Sequence, residues 1–448
     1  MYSSTRSKRR RGRFTRVVGV AAVLALTAAA CGSDDDDALD ADTGDQTAPD
    51  TAESADTAES SEGPADTADT AESADTADTA ESSEGPAEGS DDPIEIVLMW
   101  EVMGESDYGI DSMQNAAELA IQRINDAGGV GGRMIEATRL PASIVDVQTL
   151  TSQFLEAEGM DPDLIVGFVA PTVAALARQV DAAEIPVIGI GAYPIIDGLP
   201  VGSEWFFQLQ ADEAEAAGSF VTFAKDSLGA TDIAILHTDE SFGTGSSDAG
   251  AAAIDADPDL NLVANLAHST TADDFTREVQ DTKDADVILN YSYPNPLAAQ
   301  LQAFAQAGLE MPTLSGSSAS TVASNGLITP EQLENLYGVL NCNPSDDSRD
   351  PAAEFIAAYN EAYEASPDLI GMVTYDAINL AAAAIEAAGS SEHEAVAGAL
   401  RDISFTDGAC APEWKADGAQ IFNHQQVVVS YDADGVATTE EAIEIPPR

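Results

Sequence analysis

From Ile94 onward, short apolar runs alternate with helical stretches, and this alternation restricts the fold more than any other feature of the chain. The segments "IEIVLMW" (94–100), "RMIEATRL" (133–140), "DLIVGFV" (163–169) and "IPVIGIG" (185–191) read as strands. Between them, "MQNAAELAIQRINDAGG" (113–129), "VQTLTSQFLEAE" (147–158) and "TVAALARQVDAAE" (172–184) carry helical spacing. A second series begins near 205 with "WFFQLQ" and a helix over 213–228. It continues through strands at 232–238, 260–268 and 286–292, a helix over 296–307, "YGVLNC" (337–342) and Ala-rich helices over 351–402. It closes with the hairpin "QVVVSYDADGVATT", whose "DADG" (432–435) reads as a turn. Strands that are apolar throughout are buried on both faces, and crossover helices make their sheet parallel. Two such series exceed what one core holds. The expected fold is α/β, with two doubly wound parallel-sheet lobes joined by a hinge. Lobe 1 is expected at about 93–211 and 345–404, and lobe 2 at about 212–344 and 405–448.

The N-terminal segment reads as export machinery. Seven of the chain's 18 Lys+Arg lie in residues 1–16, and Val17 to Ala30 is almost wholly apolar. That run is short for a bilayer span and suits a signal peptide over residues 1–30. Ala28, Ala29 and Ala30 precede Cys31 as in a bacterial lipobox, so Cys31 is the expected lipidated N-terminus of the mature chain. An ordinary secretion signal cut near Ala30, with Cys31 incidental, is the alternative. Phe14 stands in the wrong place for a twin-arginine signal, which leaves the general export route. Residues 32–92 hold 22 Asp+Glu and no Lys or Arg, and "TAESSEGPA" occurs at 57–65 and again at 79–87. With almost nothing apolar to bury, 31–92 is expected to be a disordered acidic tether.

Residues 93–448 carry 11 Lys+Arg against 57 Asp+Glu, a formal charge of −46. A polyanion needs a basic footprint, so nucleic acid is excluded as a partner. Only Cys342 and Cys410 remain in this region, and in an exported chain a disulfide between them is expected; two buried free thiols are the alternative. The four histidines, His237, His268, His393 and His424, show no metal-ligand spacing, and no nucleophile elbow or phosphate loop is present. "GIG" (189–191) lacks a third glycine and runs into Pro194, so it is no dinucleotide fingerprint. Neither an enzyme nor a bound cofactor or metal is expected.

The pieces "YGIDSMQNAAELAIQRINDAGGVGGRMIE" (108–136), "GFVAPTVAALA" (167–177), "IPVIGIGAYP" (185–194) and "FFQLQADEAEAAG" (206–218) fall in a recognisable order. So do "ILHTDESFG" (235–243), "QAFAQAGL" (302–309) and "TYDAINLAAAAIEAAG" (374–389). Together they resemble the type I periplasmic solute-binding proteins of ABC importers, the branched-chain amino acid (leucine-binding) group, across 93–448. With its lipobox and tether, the chain resembles the lipoprotein form of Gram-positive bacteria.

The resemblance implies a ligand cleft between the lobes. Open α/β sheets place ligands beyond the carboxyl ends of their strands. There Thr172 can cap a helix whose free amides take a carboxylate, or serve as a plain cap. Gly191 and Tyr193 match the next strand end of the family's carboxylate site. Tyr108 matches a cleft aromatic of lobe 1, and Phe242 matches the usual Tyr of a Tyr-Gly pair in lobe 2. Tyr291 and Tyr293 end a lobe-2 strand, and Tyr375 lies in "TYDA" where a helix side chain reaches the cleft. Each of these aromatics has core or rim packing as its alternative.

One position departs from the family. Its amino acid binders place a glutamate in lobe 2 against the ligand's ammonium, and the matching position here is near Ser318 in "LSGSSAST". Either Asp107, Asp197, Asp239 or Glu240 serves instead, or the ligand lacks an α-ammonium. The implied function is an extracytoplasmic, lipid-anchored, monomeric receptor. It would capture a small solute, an amino acid or related carboxylate or amide, and deliver it to an ABC permease and ATPase. A ligand-sensing lipoprotein of the same fold is the alternative.

Overall fold

The computed structural model describes residues 92–445 except 104, 105, 108, 109, 145 and 424, and leaves out the side chains of residues 101, 103, 106, 107, 110 and 213. Cys31, Tyr108, His424 and the side chain of Asp107 therefore lie outside the described residues.

The first sheet contains β1 (Ile94–Met103), β2 (Ile135–Ser143), β3 (Leu164–Gly167), β4 (Val187–Gly189) and β5 (Phe206–Gln208). They pair in the order 2-1-3-4-5, all parallel, with Ile94 opposite Ile135 and Ile96 opposite Leu164. The second sheet contains β6 (Asp232–Thr238), β7 (Asn261–His268), β8 (Val287–Tyr291), β9 (Thr313–Ser315) and β10 (Leu336–Leu340). It is completed by β11 (Gln425–Tyr431) and β12 (Ala437–Glu444). Its first five strands repeat the same order as 7-6-8-9-10, parallel, and β11 and β12 extend the β10 edge antiparallel. The strand order thus reverses once in each sheet, at β1/β3 and at β6/β8, where a crevice opens at the strand ends.

Helices cover the sheets: α1 (Ile110–Asp126), α2 (Val147–Glu158), α3 (Ala177–Ala183), α4 (Glu213–Asp226) and α5 (Ser241–Asp255), then α6 (Thr276–Thr282), α7 (Pro294–Ala307) and α8 (Ser317–Ser324). Last come α9 (Asp350–Tyr363), α10 (Leu369–Ala388) and α11 (His393–Asp402), which return to the first lobe. Helix α10 is long and apolar enough to cross a membrane, but it is mostly buried as a core helix against α1. Asp368 starts it by accepting the Gly371 N–H at 2.8 Å, and Gly389 ends it in the left-handed region, φ 63°.

Two features differ from the sequence reading. The expected helix over 172–184 begins as a 3-10 turn, Pro171–Leu176, before α3; Pro171 opens it at a first-turn position where its missing N–H costs nothing. The segment 405–423, expected with lobe 2, is held on lobe 1. Arg349 donates to the carbonyls of Gly408, Ala409 and Ala411. The buried Asp376 of α10 accepts from Ala409 N, Cys410 N and Trp414 Nε1 at 2.6, 2.8 and 2.7 Å. The segment then pairs with β5 through Gln208 and Phe422, and the chain enters lobe 2 only at β11. A bond joins Cys342 to Cys410 with their Cα atoms 5.3 Å apart, so it ties the crossing after β10 to this segment.

Candidate functional site

A cavity of about 100 Å³ lies where the strand ends of the two sheets face each other. Lobe 1 contributes Val169 and Ala170 after β3, Gly191 and Ala192 after β4, and Ile144 after β2. Lobe 2 contributes Tyr291 and Tyr293 at and after β8, Ser315 to Ser318 at the β9–α8 junction, and Asn341 after β10. Gln210 and Ala211 line it from the first crossing between lobes. The N-terminal turn of α4, capped by Asp212 through Ala214 N and Glu215 N, brings in Ala216, Ala217 and Phe220. The loops after β3 and β4 approach closely. A Cβ on Gly191 would stand 1.9 Å from the Val169 carbonyl oxygen, which leaves room for glycine alone.

The lobes touch on both sides of this space. Thr172 Oγ1 lies 3.1 Å from Ser241 Oγ, and Ile144 and Ala170 pack on Tyr293 and Phe242, whose rings are 5.5 Å apart. On the other side Thr321 of α8 donates to Asp368 Oδ2 at 3.0 Å, and the Leu369 N–H donates to Ser320 Oγ at 3.2 Å. Asp368 also accepts from Ser112 of α1, so one carboxylate gathers donors from both lobes.

Of the residues expected at the cleft, Gly191, Phe242, Tyr291, Tyr293 and Ser318 line the cavity. Thr172 does not. It is no helix cap; its hydroxyl bonds the Ile144 carbonyl and Ser241 beside a separate outer groove. Tyr193 is fully buried beneath the cavity: its hydroxyl donates to the Phe168 carbonyl and accepts the Gly191 N–H at 2.9 Å, and its ring packs edge-on against Phe206. Tyr375 lies away from the cavity in the helical layer, its hydroxyl accepting from Arg123 Nη1 at 3.0 Å and its ring 4.4 Å from Phe355. The first residue of its helix, Leu369, reaches the cavity nearly two turns earlier.

Of the acids weighed as ammonium partners, Asp107 has its side chain outside the described residues, and none of the other three lines the cavity. Asp197 is exposed on a hairpin, and Asp239 borders only the outer groove. Glu240 is engaged as the cap of α5, accepting from Phe242 N, Gly243 N and Thr238 Oγ1 at 2.8, 3.1 and 2.6 Å. The cavity therefore has no Asp, Glu, Lys, Arg or His among the described residues that line it. Sequence reasoning missed Ile144, Gln210, Phe220, Ser246, Asn341 and Gln426. Only Asn341 carried a signal, a polar residue directly after a buried strand. Among the described residues, no group of three or more His, Cys, Asp or Glu is arranged to hold a metal.

Two polar groups of the cavity wall have no partner. Asn341 Nδ2 makes no hydrogen bond, with the residue 5% exposed, and neither does the Tyr291 hydroxyl, with its residue 4% exposed. Burial pushes the Tyr291 phenol well above its ordinary value, so it stays a neutral hydroxyl.

Residues 93–436 match a protein family described as "Periplasmic binding protein". No curated protein matches the chain at a significant level. Among solved structures, the chain is similar to a leucine-binding protein of Thermotoga maritima at 19% identity and TM-score 0.68, covering 78% of this chain and 99% of that one. It is similar to a branched-chain amino acid transporter substrate-binding protein of Streptococcus pneumoniae, solved with isoleucine, at 21% identity and TM-score 0.67, covering 79% and 100%. A fatty acid ABC transporter substrate-binding protein of Thermomonospora curvata aligns at 21% identity and TM-score 0.67, covering 80% and 93%.

Proposed function

The chain belongs to the type I periplasmic binding protein family of ABC transporters, and from that premise we propose that it is a lipid-anchored receptor that closes two lobes on a small solute and presents it to an ABC permease and its ATPase. The family works outside the cytoplasm and binds solutes without transforming them. The observation that carries the reading is the cavity at the facing strand ends, enclosed by cross-lobe bonds at Thr172–Ser241 and Thr321–Asp368. A ligand inside adds contacts that exist only with the lobes together, so its binding energy favours the closed state. Gly191, Phe242, Tyr291, Tyr293 and Ser318 are the proposed contacts, with Tyr108 as a further one. Cys31 is the proposed anchor, and the acidic segment after it the tether that spaces the receptor from the membrane. The ligand is an amino acid or a related carboxylate or amide, and the receptor is a monomer.

Small-angle scattering with a panel of amino acids, carboxylates and amides tests this. At least one class is expected to contract the protein. Thr321→Val, which removes one cross-lobe hydrogen bond of about 1 kcal/mol, is expected to weaken that ligand about fivefold and expand the free protein. A cavity that binds none of them, with no change in dimensions, overturns the receptor reading.

A further inference from the structure

The side of the cavity nearest the hinge is walled by carboxamides, and one of them bonds to no described residue. Resting on the receptor reading above, we propose that Gln426 is a ligand-binding residue. Its carboxamide holds a hydrogen-bonding end group of the solute at the hinge, and the apolar body of the solute lies along Phe220 and Tyr291.

Placement comes first. The chain passes between the lobes after β5, after β10 and before β11, and each crossing gives the cavity one carboxamide. Gln210 stands on the first, between β5 and α4. Asn341 follows β10 on the second, and Gln426 lies at the start of β11, where the third enters lobe 2. β10 and β11 pair antiparallel, with Val339 opposite Val428 and Leu340 opposite Val427. Val339, Asn341 and Gln426 all line the cavity, so the face that carries Val339 and Val428 is the one turned toward it. Gln425 and Val427 take the opposite face, beside Cys342 and Cys410.

Bonding comes second. Gln210 Nε2 donates to the Ile190 carbonyl, which fixes that side chain to lobe 1. Asn341 Nδ2 is enclosed by protein and reaches no ligand. Gln426 is 3% exposed, and its carboxamide bonds to no described residue. Neither of its polar atoms is enclosed as Asn341 Nδ2 is, and the residue borders the cavity, so its remaining exposure is to that space. A polar side chain this buried is stabilised only when a partner meets it, and closure around a solute supplies one.

Chemistry comes third. A carboxamide offers two N–H donors and an accepting oxygen, so it selects for hydrogen bonding in the solute without selecting its charge. Ala216, Ala217, Phe220 and Val339 line the same wall and offer a solute no side-chain hydrogen bond. A solute with hydrocarbon at this end leaves the carboxamide unpaired in the closed state, and one with a polar end does not. The Phe220 and Tyr291 rings, 5.3 Å apart, form an apolar wall for the body.

The test is calorimetry on the full chain. The probes are leucine, 3-methylbutanoate and 3-methylbutanamide, then phenylalanine, benzoate and benzamide, and the tightest binder of the six is carried into the variants. Gln426→Met keeps the length of the side chain and removes its hydrogen bonding. It is expected to weaken that compound about fivefold to tenfold. The melting temperature of the ligand-free protein is expected not to fall, because no hydrogen bond within the protein is lost. Gln426→Leu, an apolar side chain of different shape, is expected to show the same loss. Gln425→Met, one position along on the opposite face, is expected to stay within about twofold of the native chain. Native affinity in both Gln426 variants overturns the proposal. So does an equal loss in Gln425→Met, which would mark a disturbed hinge, and so does a binding loss matched by a lower melting temperature, which would mark a structural residue. Silence from all six compounds in the native chain overturns the proposal; absence of contraction across the wider scattering panel removes the receptor reading too.

Discussion

The Tyr193 hydroxyl accepts the Gly191 N–H from beneath the cavity floor that Gly191 itself forms, and donates in turn to the Phe168 carbonyl. One phenol thereby locks the loops after β3 and β4 together and uses up an amide that a ligand would otherwise meet. Tyr193→Phe leaves the Gly191 N–H and the Phe168 carbonyl without this partner in a fully buried place. A loss of about 2 kcal/mol is expected in urea unfolding at an unchanged m value. Ligand affinity is expected to change less than stability does, because the side chain does not line the cavity.

Gly250 of α5 makes room for the Tyr291 ring. A Cβ there would stand 2.8 Å from the Tyr291 hydroxyl oxygen and 3.2 Å from its ring edge. Gly250→Ala is expected to press that ring out of place in the cavity wall and cost about 1 kcal/mol of ligand binding, roughly fivefold. Helix propensity returns about 1 kcal/mol to the fold, so melting changes less than affinity does. Thermal unfolding and calorimetry on one preparation separate the two effects.

Asp376 gives a pH signature. Burial raises its carboxyl to about 6, while the Ala409 and Cys410 amides and the Trp414 indole pull the other way. The folded protein then holds this proton more tightly than the unfolded chain does. Its contribution is greatest below about pH 4 and falls by about 3 kcal/mol as pH rises to about 6, with no further change above. The stability of the native protein minus that of Asp376→Asn, followed by denaturant unfolding across that window, is expected to fall by that amount. A difference that rises or stays flat rejects the assignment.

The Cys342–Cys410 bond closes a loop with a sequence separation of 68. Chain entropy alone assigns such a loop about 4 kcal/mol. Replacing both cysteines with serine is expected to lower stability by up to that amount. Asp376 and Arg349 still hold the 405–423 segment on lobe 1, so ligand affinity is expected to change less than about threefold.

Much of this molecule was legible in the sequence because its strands are apolar on both faces. The run "LIVG" at 164–167 has little choice but a covered, parallel sheet, and β3 is buried at all four positions. The family resemblance, laid on those strand ends, placed Gly191, Tyr291 and Ser318 near a cleft, and all three line the cavity. Where side chains point at those ends could not be read. Tyr193 and Tyr291 both stand at strand ends and read alike, yet one is floor support and the other is wall. The difference is made by Phe168 and Phe206 in one case and by Phe220 and Gly250 in the other, all distant in sequence. Segment 405–423 was misplaced for the same reason, since it has little periodicity and is positioned by a carboxylate on α10 and by Arg349.

The sequence by itself determined the two-sheet α/β architecture, the acidity that rejects polyanions, and the lack of a glutamate at the Ser318 position, because hydrophobic period, net charge and residue identity are local quantities. Tertiary structure alone decided that no described charge reaches the cavity, that the Gly191 amide is already bonded to Tyr193, and that Asn341 Nδ2 and the Tyr291 hydroxyl are buried without hydrogen-bond partners. Those are properties of distance between segments far apart in the chain, and hydrogen-bond partnership across such separations is written only in the folded packing.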